Sequence, residues 1–263
     1  MPCIKLSKTN LYYELITNNS GRLTILFIHG LGSSTRDWHN QVEYFRSYYD
    51  IITVDLHGFG QSDRTQRQLT IHDYAQDILE LIEHLHVEKP HIIGLSLGAM
   101  VCYEIATSYP HLIRSAVFIN ALPEFIPRSF KEKLNVIFRF AIIRLLGMKI
   151  LGKVLSKKLF THSHQQPLKD EFLQHWSRNK RKNYIAAMKA ILNWSVVSKL
   201  DRVNIPTLII AAEHDYTTIE SKQKFAAMLP NTTVTIIENS WHATPVDQPD
   251  KLNKALMTFL ENI

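Results

Sequence analysis

His91-Ile92-Ile93-Gly94-Leu95-Ser96-Leu97-Gly98-Ala99-Met100 is the stretch on which the fold turns. Its first half, His91–Leu95, is a β-rich aliphatic run, and a helical pattern over 99–109 begins directly behind it. A serine on so sharp a strand-to-helix turn is held in a strained backbone conformation that projects its hydroxyl outward. Glycine is needed at both flanks, because a Cβ at Gly94 or Gly98 would collide with the neighbouring strand or helix. The helix N-terminus places a positive dipole end beneath the hydroxyl. A bare G-x-S-x-G arises often by chance. Set between a strand and a helix, it marks Ser96 as a candidate nucleophile.

Outward from this turn, short β-rich runs alternate with longer helical patterns, the signature of an α/β chain with a mostly parallel sheet flanked by helices. The other expected strands cover 11–16, 23–29, 51–54, 116–120, 207–212 and 233–237. Several are almost continuous aliphatic runs, as strands buried on both faces should be. The spacing of Tyr74, Ile78, Leu81, Ile82 and Leu85 predicts a helix over 71–86, with Thr70 and Asp73 as a capping-box start and Pro90 closing the connection. Residues 249–263 read as a closing helix with Leu252, Leu256 and Phe259 inward. The rhythm stops near Pro123 and resumes at Ile205-Pro206. Residues 1–122 and 201–263 therefore form the core, and 123–200 form an inserted helical cap without a convincing strand.

Composition narrows the function classes. The chain has 263 residues, 45% of them hydrophobic and 10% aromatic, which excludes a disordered or low-complexity protein. Two cysteines, Cys3 and Cys102, exclude a disulfide scaffold. Cys102 falls in a helical apolar pattern and reads as a small core residue. The first residues lack the apolar stretch of a secretory signal, and no window is apolar for long enough to span a bilayer, so the expectation is a soluble cytoplasmic protein with reduced thiols. Asn18-Asn19-Ser20 matches a glycosylation triplet, which has no meaning without secretion. No glycine-rich dinucleotide or phosphate loop is present and no Cys/His group has zinc spacing, so no cofactor and no metal are expected.

A serine hydroxyl is a poor nucleophile at neutral pH and needs a base that an acid orients. Asn239-Ser240-Trp241-His242-Ala243 follows the strand over 233–237 and precedes the last helix. Its position at the C-terminal edge of the sheet singles out His242 from thirteen histidines as the general base. The acid should lie just past another strand end, where Glu213-His214-Asp215-Tyr216 follows 207–212. Asp215 is the choice, with Glu213 its rival two residues away. The oxyanion of a tetrahedral intermediate needs donors. The backbone N–H of Leu97 is one. The second is the N–H of Leu31, in the loop His29-Gly30-Leu31-Gly32-Ser33-Ser34 that leaves the strand over 23–29. His29 itself reads as structural.

These motifs resemble those of the α/β-hydrolase family over nearly the whole chain, with the cap the least similar part. The order Ser96, Asp215, His242 is that of the family's catalytic triad. Asp55-Leu56-His57-Gly58-Phe59-Gly60-Gln61-Ser62-Asp63 matches the family's D-x-x-G-x-G-x-S turn, and Asp247-Gln248-Pro249-Asp250 matches the segment after its histidine. Two positions depart from the pattern. Ala99 stands where a second glycine is common, and Trp241 stands where many relatives have glycine, which is expected to crowd the pocket mouth. The resemblance implies a serine hydrolase that cleaves carboxylic esters through an acyl-enzyme, in the manner of carboxylesterases and lipases. Serine at position 96 separates the chain from the haloalkane dehalogenase and epoxide hydrolase branches, which use Asp. Two alternatives share the fold: a carbon–carbon bond hydrolase of ring-cleavage diketones, and a weakly catalytic ligand receptor.

The charge is unevenly placed. The net +6 divides into 16 Lys+Arg against 4 Asp+Glu over residues 123–200, a net of +12, and −6 over the rest. Within the cap, Leu134, Phe138, Ala141 and Leu145 share one helical face, and Val136, Phe140 and Ile143 lie on the other. A helix apolar on two sides can meet both a pocket and something outside it. Basic side chains could also simply snorkel from a helix packed on the body. The partners this face would suit are an acidic acyl carrier protein, by similarity to pimeloyl-carrier methyl ester esterases, or an anionic membrane surface. Nucleic acid fits least, since no aromatic platform or DNA-reading motif accompanies the charge.

Overall fold

A computed structural model describes residues 3–17, 21–64 and 67–263; the Asn18-Asn19-Ser20 triplet lies outside the described residues. The strands are β1 (Cys3–Lys5), β2 (Asn10–Ile16), β3 (Thr24–Ile28), β4 (Asp50–Val54), β5 (His91–Leu95), β6 (Ser115–Ile119), β7 (Thr207–Ala212) and β8 (Thr232–Ile237). They form one sheet in the order β1-β2-β4-β3-β5-β6-β7-β8. The first two strands pair antiparallel, as do β2 and β4, and every pairing from β4 through β8 is parallel. Strands β5, β6 and β7 are buried along their whole length. This accounts for their unbroken aliphatic runs, because helices cover both faces of a parallel sheet. The strand β1 escapes sequence reading because it is three residues long with one buried side chain.

The helices are α1 (His39–Phe45), α2 (Ile71–His84), α3 (Leu97–Ser108), α4 (Phe130–Leu145), α5 (Gly147–Leu159), α6 (Gln166–Trp176), α7 (Arg181–Ile191), α8 (Ile219–Ala226), α9 (Thr244–Asp247) and α10 (Pro249–Leu260). Thr70 and Asp73 make the expected capping box at the start of α2. That helix stops two residues earlier than its periodicity predicts, and His86, with φ 53°, turns the chain toward β5.

The stretch between β6 and β7 contains α4 to α7 and, apart from an isolated bridge between Glu124 and Ser195, no described strand. Its two ends are stapled together. Phe125 N–H donates to Trp194 O (2.8 Å), Asn193 N–H to Phe125 O (2.9 Å) and Val196 N–H to Pro123 O (2.9 Å). The insertion therefore leaves and rejoins the core through one narrow neck. Ile143 of α4 is fully buried, whereas Leu134, Phe138 and Leu145 on the opposite side are exposed.

Candidate active site

The elbow is built as its sequence demands. β5 ends at Leu95 and α3 begins at Leu97, so Ser96 makes the turn with φ 54° and ψ −111°. A non-glycine residue in that region costs about 1–3 kcal/mol and persists only where its surroundings enforce it. Here Ser96 N–H donates to Ile119 O (2.9 Å), and Met100 N–H donates to Ser96 O (3.0 Å). A Cβ on Gly94 would strike the Gly98 carbonyl, and one on Gly98 would strike the carbonyls of Ile28 and His29. Backbone therefore fills both flanks, and only glycine fits. Ala99 and Cys102 are buried in α3.

The side chains expected as base and acid, His242 and Asp215, meet across two strand ends. His242 Nδ1 donates to Asp215 Oδ1 at 2.5 Å, which leaves Nε2 as the other nitrogen of the ring. Glu213, the rival carboxylate, instead accepts from Asn239 N–H at 2.8 Å and faces solvent. The second oxygen of Asp215 accepts from Lys222 Nζ (2.6 Å) and Thr217 Oγ1 (2.5 Å). The Asp215 and Lys222 side chains are both 0% exposed. Burial raises the Asp215 carboxyl, but His242 and Lys222 together outweigh it and hold the group well below the usual carboxylate range. Burial also lowers the Lys222 ammonium, against the pull of Asp215. Tyr216 stacks on the His242 ring with centroids 4.4 Å apart.

Further residues hold the loop that carries His242. Asp247 Oδ2 accepts from Trp241 N–H (2.6 Å) and Oδ1 from Ser240 Oγ (2.8 Å), and burial pushes its carboxyl up to about 6. Asn120, at the end of β6, donates from Nδ2 to Thr244 Oγ1 (2.7 Å) and His242 O (3.0 Å), and its Oδ1 accepts from Ala212 N–H (2.9 Å). It ties the ends of β6 and β7 to the histidine loop. Trp241 does not crowd the pocket mouth as its size suggested. Its indole lies against His214 (4.6 Å) and edge-on to His162 of the cap (5.0 Å), outside the residues that line the cleft.

The loop expected to serve the oxyanion lies against Ser96, since a Cβ on Gly30 would be 3.5 Å from Ser96 Cβ. Leu31 follows it in the cleft wall. Leu97 is the first residue of α3, so its N–H has no partner within the helix. The Asp55 turn braces this loop from behind. Asp55 Oδ1 accepts from Thr35 N–H and Oδ2 from Gln61 N–H, both at 2.7 Å. Ser62 Oγ donates to Asp55 O (2.5 Å) and accepts from Tyr12 N–H (2.9 Å). His29 is structural: Nε2 accepts from Leu56 N–H (2.9 Å), and Nδ1 faces Gly30 O (2.7 Å). Burial lowers its basicity, consistent with a neutral ring.

Ser96, His242 and Leu31 line one cleft of about 1730 Å³, whose wall is completed by residues of the helical stretch between β6 and β7, including Phe138, Val154 and Trp176. That volume exceeds the roughly 300–1,000 Å³ of ordinary small-ligand pockets. Among the described residues no group of three or more His, Cys, Asp or Glu could hold a metal ion.

Sequence reading missed Lys222 and Asn120. Lys222 carried a signal, because it occupies the buried face of α8 together with Phe225, where a lysine is out of place unless paired. Asn120 carried none, since a strand-end asparagine is ordinary.

A family model for the alpha/beta hydrolase fold matches residues 24–249. The chain belongs to the alpha/beta hydrolase fold family. Among curated proteins it is 24% identical to the (E)-2-((N-methylformamido)methylene)succinate hydrolase of Acinetobacter baylyi over 90% of each chain. Among solved structures it is similar to the enol-lactonase from Burkholderia xenovorans LB400, with a TM-score of 0.91 at 19% identity over 99% of this chain and 100% of that one. It is also similar to a thermophilic esterase from Thermogutta terrifontis, with a TM-score of 0.88 at 21% identity over 100% of this chain and 99% of that one.

Proposed function

We propose that the protein is a serine hydrolase of carboxylic esters. The observation that carries this reading is the 2.5 Å contact between His242 and Asp215 in a cleft that also holds Ser96 on its left-handed turn. In this reading Ser96 Oγ attacks the acyl carbon while His242 Nε2 accepts its proton. Asp215 keeps the ring oriented and stabilises the imidazolium, and the backbone N–H groups of Leu31 and Leu97 receive the oxyanion. Collapse of the tetrahedral intermediate expels the alcohol, which takes the proton from His242. Water, deprotonated by the same imidazole, then attacks the acyl-enzyme and frees Ser96 and the acid.

The names of the related hydrolase, enol-lactonase and esterase support hydrolytic chemistry, and the cleft volume supports an acyl group of some size. The test is turnover of p-nitrophenyl esters of graded chain length together with labelling by a fluorophosphonate probe. The wild type is expected to hydrolyse the esters and to be labelled at Ser96. Ser96→Ala should lose labelling and at least about 10³-fold in kcat. Wild-type rates in Ser96→Ala would sink the assignment. Turnover of a ring-cleavage dienoate in preference to simple esters would replace it with carbon–carbon hydrolysis.

A further inference from the structure

The cap presents to solvent a surface that the cleft chemistry does not use. Phe130, Leu134, Ile137 and Leu145 of α4 recur at helical spacing, with Ala141 between the last two, and Leu146 and Ile150 carry the apolar surface into α5. None of these side chains lines the cleft. Phe130 at one end of α4 is 80% exposed, Leu145 at the other end 81%, and Ile137 between them 62%. Large apolar side chains so far into water, and aligned along a helix of about 24 Å at 1.5 Å per residue, mark an interaction surface rather than scattered exposure.

The charge around this stripe is almost all of one sign. Residues 130–159 contain eight Lys+Arg and one acid, Glu132. Glu132 is occupied in the helix cap, accepting from the backbone N–H groups of Arg128 and Ser129. Arg139 is turned to Tyr184, and Arg144 lies over Phe140. Lys131, Lys133, Lys149, Lys153, Lys157 and Lys158 are exposed beside the apolar residues. The outer face meets the cleft along one edge, because Phe138 is both exposed and part of its wall, as is Val154 of α5.

We propose that the outer face of α4 and α5 seats the cap on an anionic lipid surface, with the cleft mouth opening beside the bilayer so that an acyl ester enters from it. The second half of this statement rests on the ester-hydrolase reading; the docking does not. A long apolar stripe flanked by lysines is what a helix needs to lie in a headgroup layer, with hydrocarbon on one side and anionic phosphates on the other. A second copy of the chain seated face to face would bring the same eight cations against eight, with only the cap-bound Glu132 of each copy to offset them. An acidic carrier protein would match the charge, but it leaves unexplained why Phe130, Ile137 and Leu145 stand 62–81% exposed along the whole helix. The stripe is the convex back of a helix, apolar from end to end.

The experiment is vesicle co-sedimentation with phosphatidylcholine alone and with phosphatidylcholine–phosphatidylglycerol at about 7:3, at low and high salt. The wild type should sediment with the anionic vesicles only, and salt should release it. Ile137→Ser/Leu145→Ser should weaken partitioning at least tenfold. Lys149→Glu/Lys153→Glu should weaken it by roughly fivefold or more per cation lost. All four positions are exposed and outside the cleft, so hydrolysis of a water-soluble p-nitrophenyl ester should remain at the wild-type rate. Equal binding to both vesicle types overturns the proposal, as does wild-type binding by Ile137→Ser/Leu145→Ser. A dimer that this double variant dissolves, or a salt-sensitive preference for carrier-linked esters without vesicle binding, also overturns it and assigns the face to that partner. If vesicles bind as expected but no ester is cleaved and Ser96 is not labelled, the docking stands and the hydrolase reading fails.

Discussion

Lys222→Met is the most discriminating perturbation of the site, because the ion pair it removes touches the proposed acid, Asp215, and Lys222 does not line the cleft. Lys222 Nζ sits 2.6 Å from Asp215 Oδ2, and both side chains are completely buried. Removing one partner of a buried pair leaves an uncompensated charge and costs about 3–5 kcal/mol. At about 2–4 °C per kcal/mol for a chain of this size, the melting temperature should fall by roughly 6–20 °C. The second effect concerns catalysis. With the cation gone, the carboxylate acts on the imidazolium unopposed and the proton is held more tightly. Charges about 5 Å apart at an effective dielectric of about 20 interact by about 3 kcal/mol, so the acidic limb of the kcat/KM profile should move up by as much as about two pH units. The assay is a pH–rate series on a p-nitrophenyl ester alongside thermal melts. In the Asp215→Asn background the same substitution should cost far less stability, because the carboxylate it neutralised is already gone. An unmoved acidic limb together with an unchanged melting temperature would refute the argument, and an unmoved limb with a lowered melting temperature would make Lys222 purely structural.

Asp215 also makes stability depend on pH. Its folded carboxyl is held below its ordinary value, so its contribution is complete above the usual carboxylate range and is lost as pH falls below that range and on through the lowered folded value. The stability gap between wild type and Asp215→Asn in denaturant titrations should therefore narrow below about pH 4. Asn120→Ala removes the bonds to Thr244, His242 and Ala212 at once. It should cost about 1–3 kcal/mol in chemical denaturation and lower kcat more than it raises KM.

The two strands whose ends the sequence places without error, β5 and β7, are buried along their whole length. They begin and end where their aliphatic runs do, and the runs behind β3, β4, β6 and β8 were displaced by only a residue or so at one or both ends. The elbow was legible because backbone crowding at Gly94 and Gly98 restricts the residue type itself. Asp215 and His242 could be placed because each follows a strand end, although only three dimensions separate Asp215 from Glu213. What stayed hidden depends on long-range contacts. The Trp241 ring packs between His214 and His162, the latter 79 positions away in the chain. The role of Asn120 depends on loops more than ninety residues further on.

The Asp55 turn has a consequence for reading variants of this protein. It supports the loop bearing Gly30 and Leu31 through Thr35, and is itself held through Ser62 to Tyr12. The parts that fix this one backbone are thus spread over some fifty residues and include none of the presumed reacting groups. Under the proposed ester-hydrolase mechanism, a lesion in any of them would shift main-chain donors that serve the transition state more than the resting substrate, so its kinetics would mimic the loss of a catalytic side chain. Grafting the loop bearing Gly30 and Leu31 into another scaffold would fail for the same reason. Its conformation belongs to the neighbouring strand and turn rather than to its own sequence.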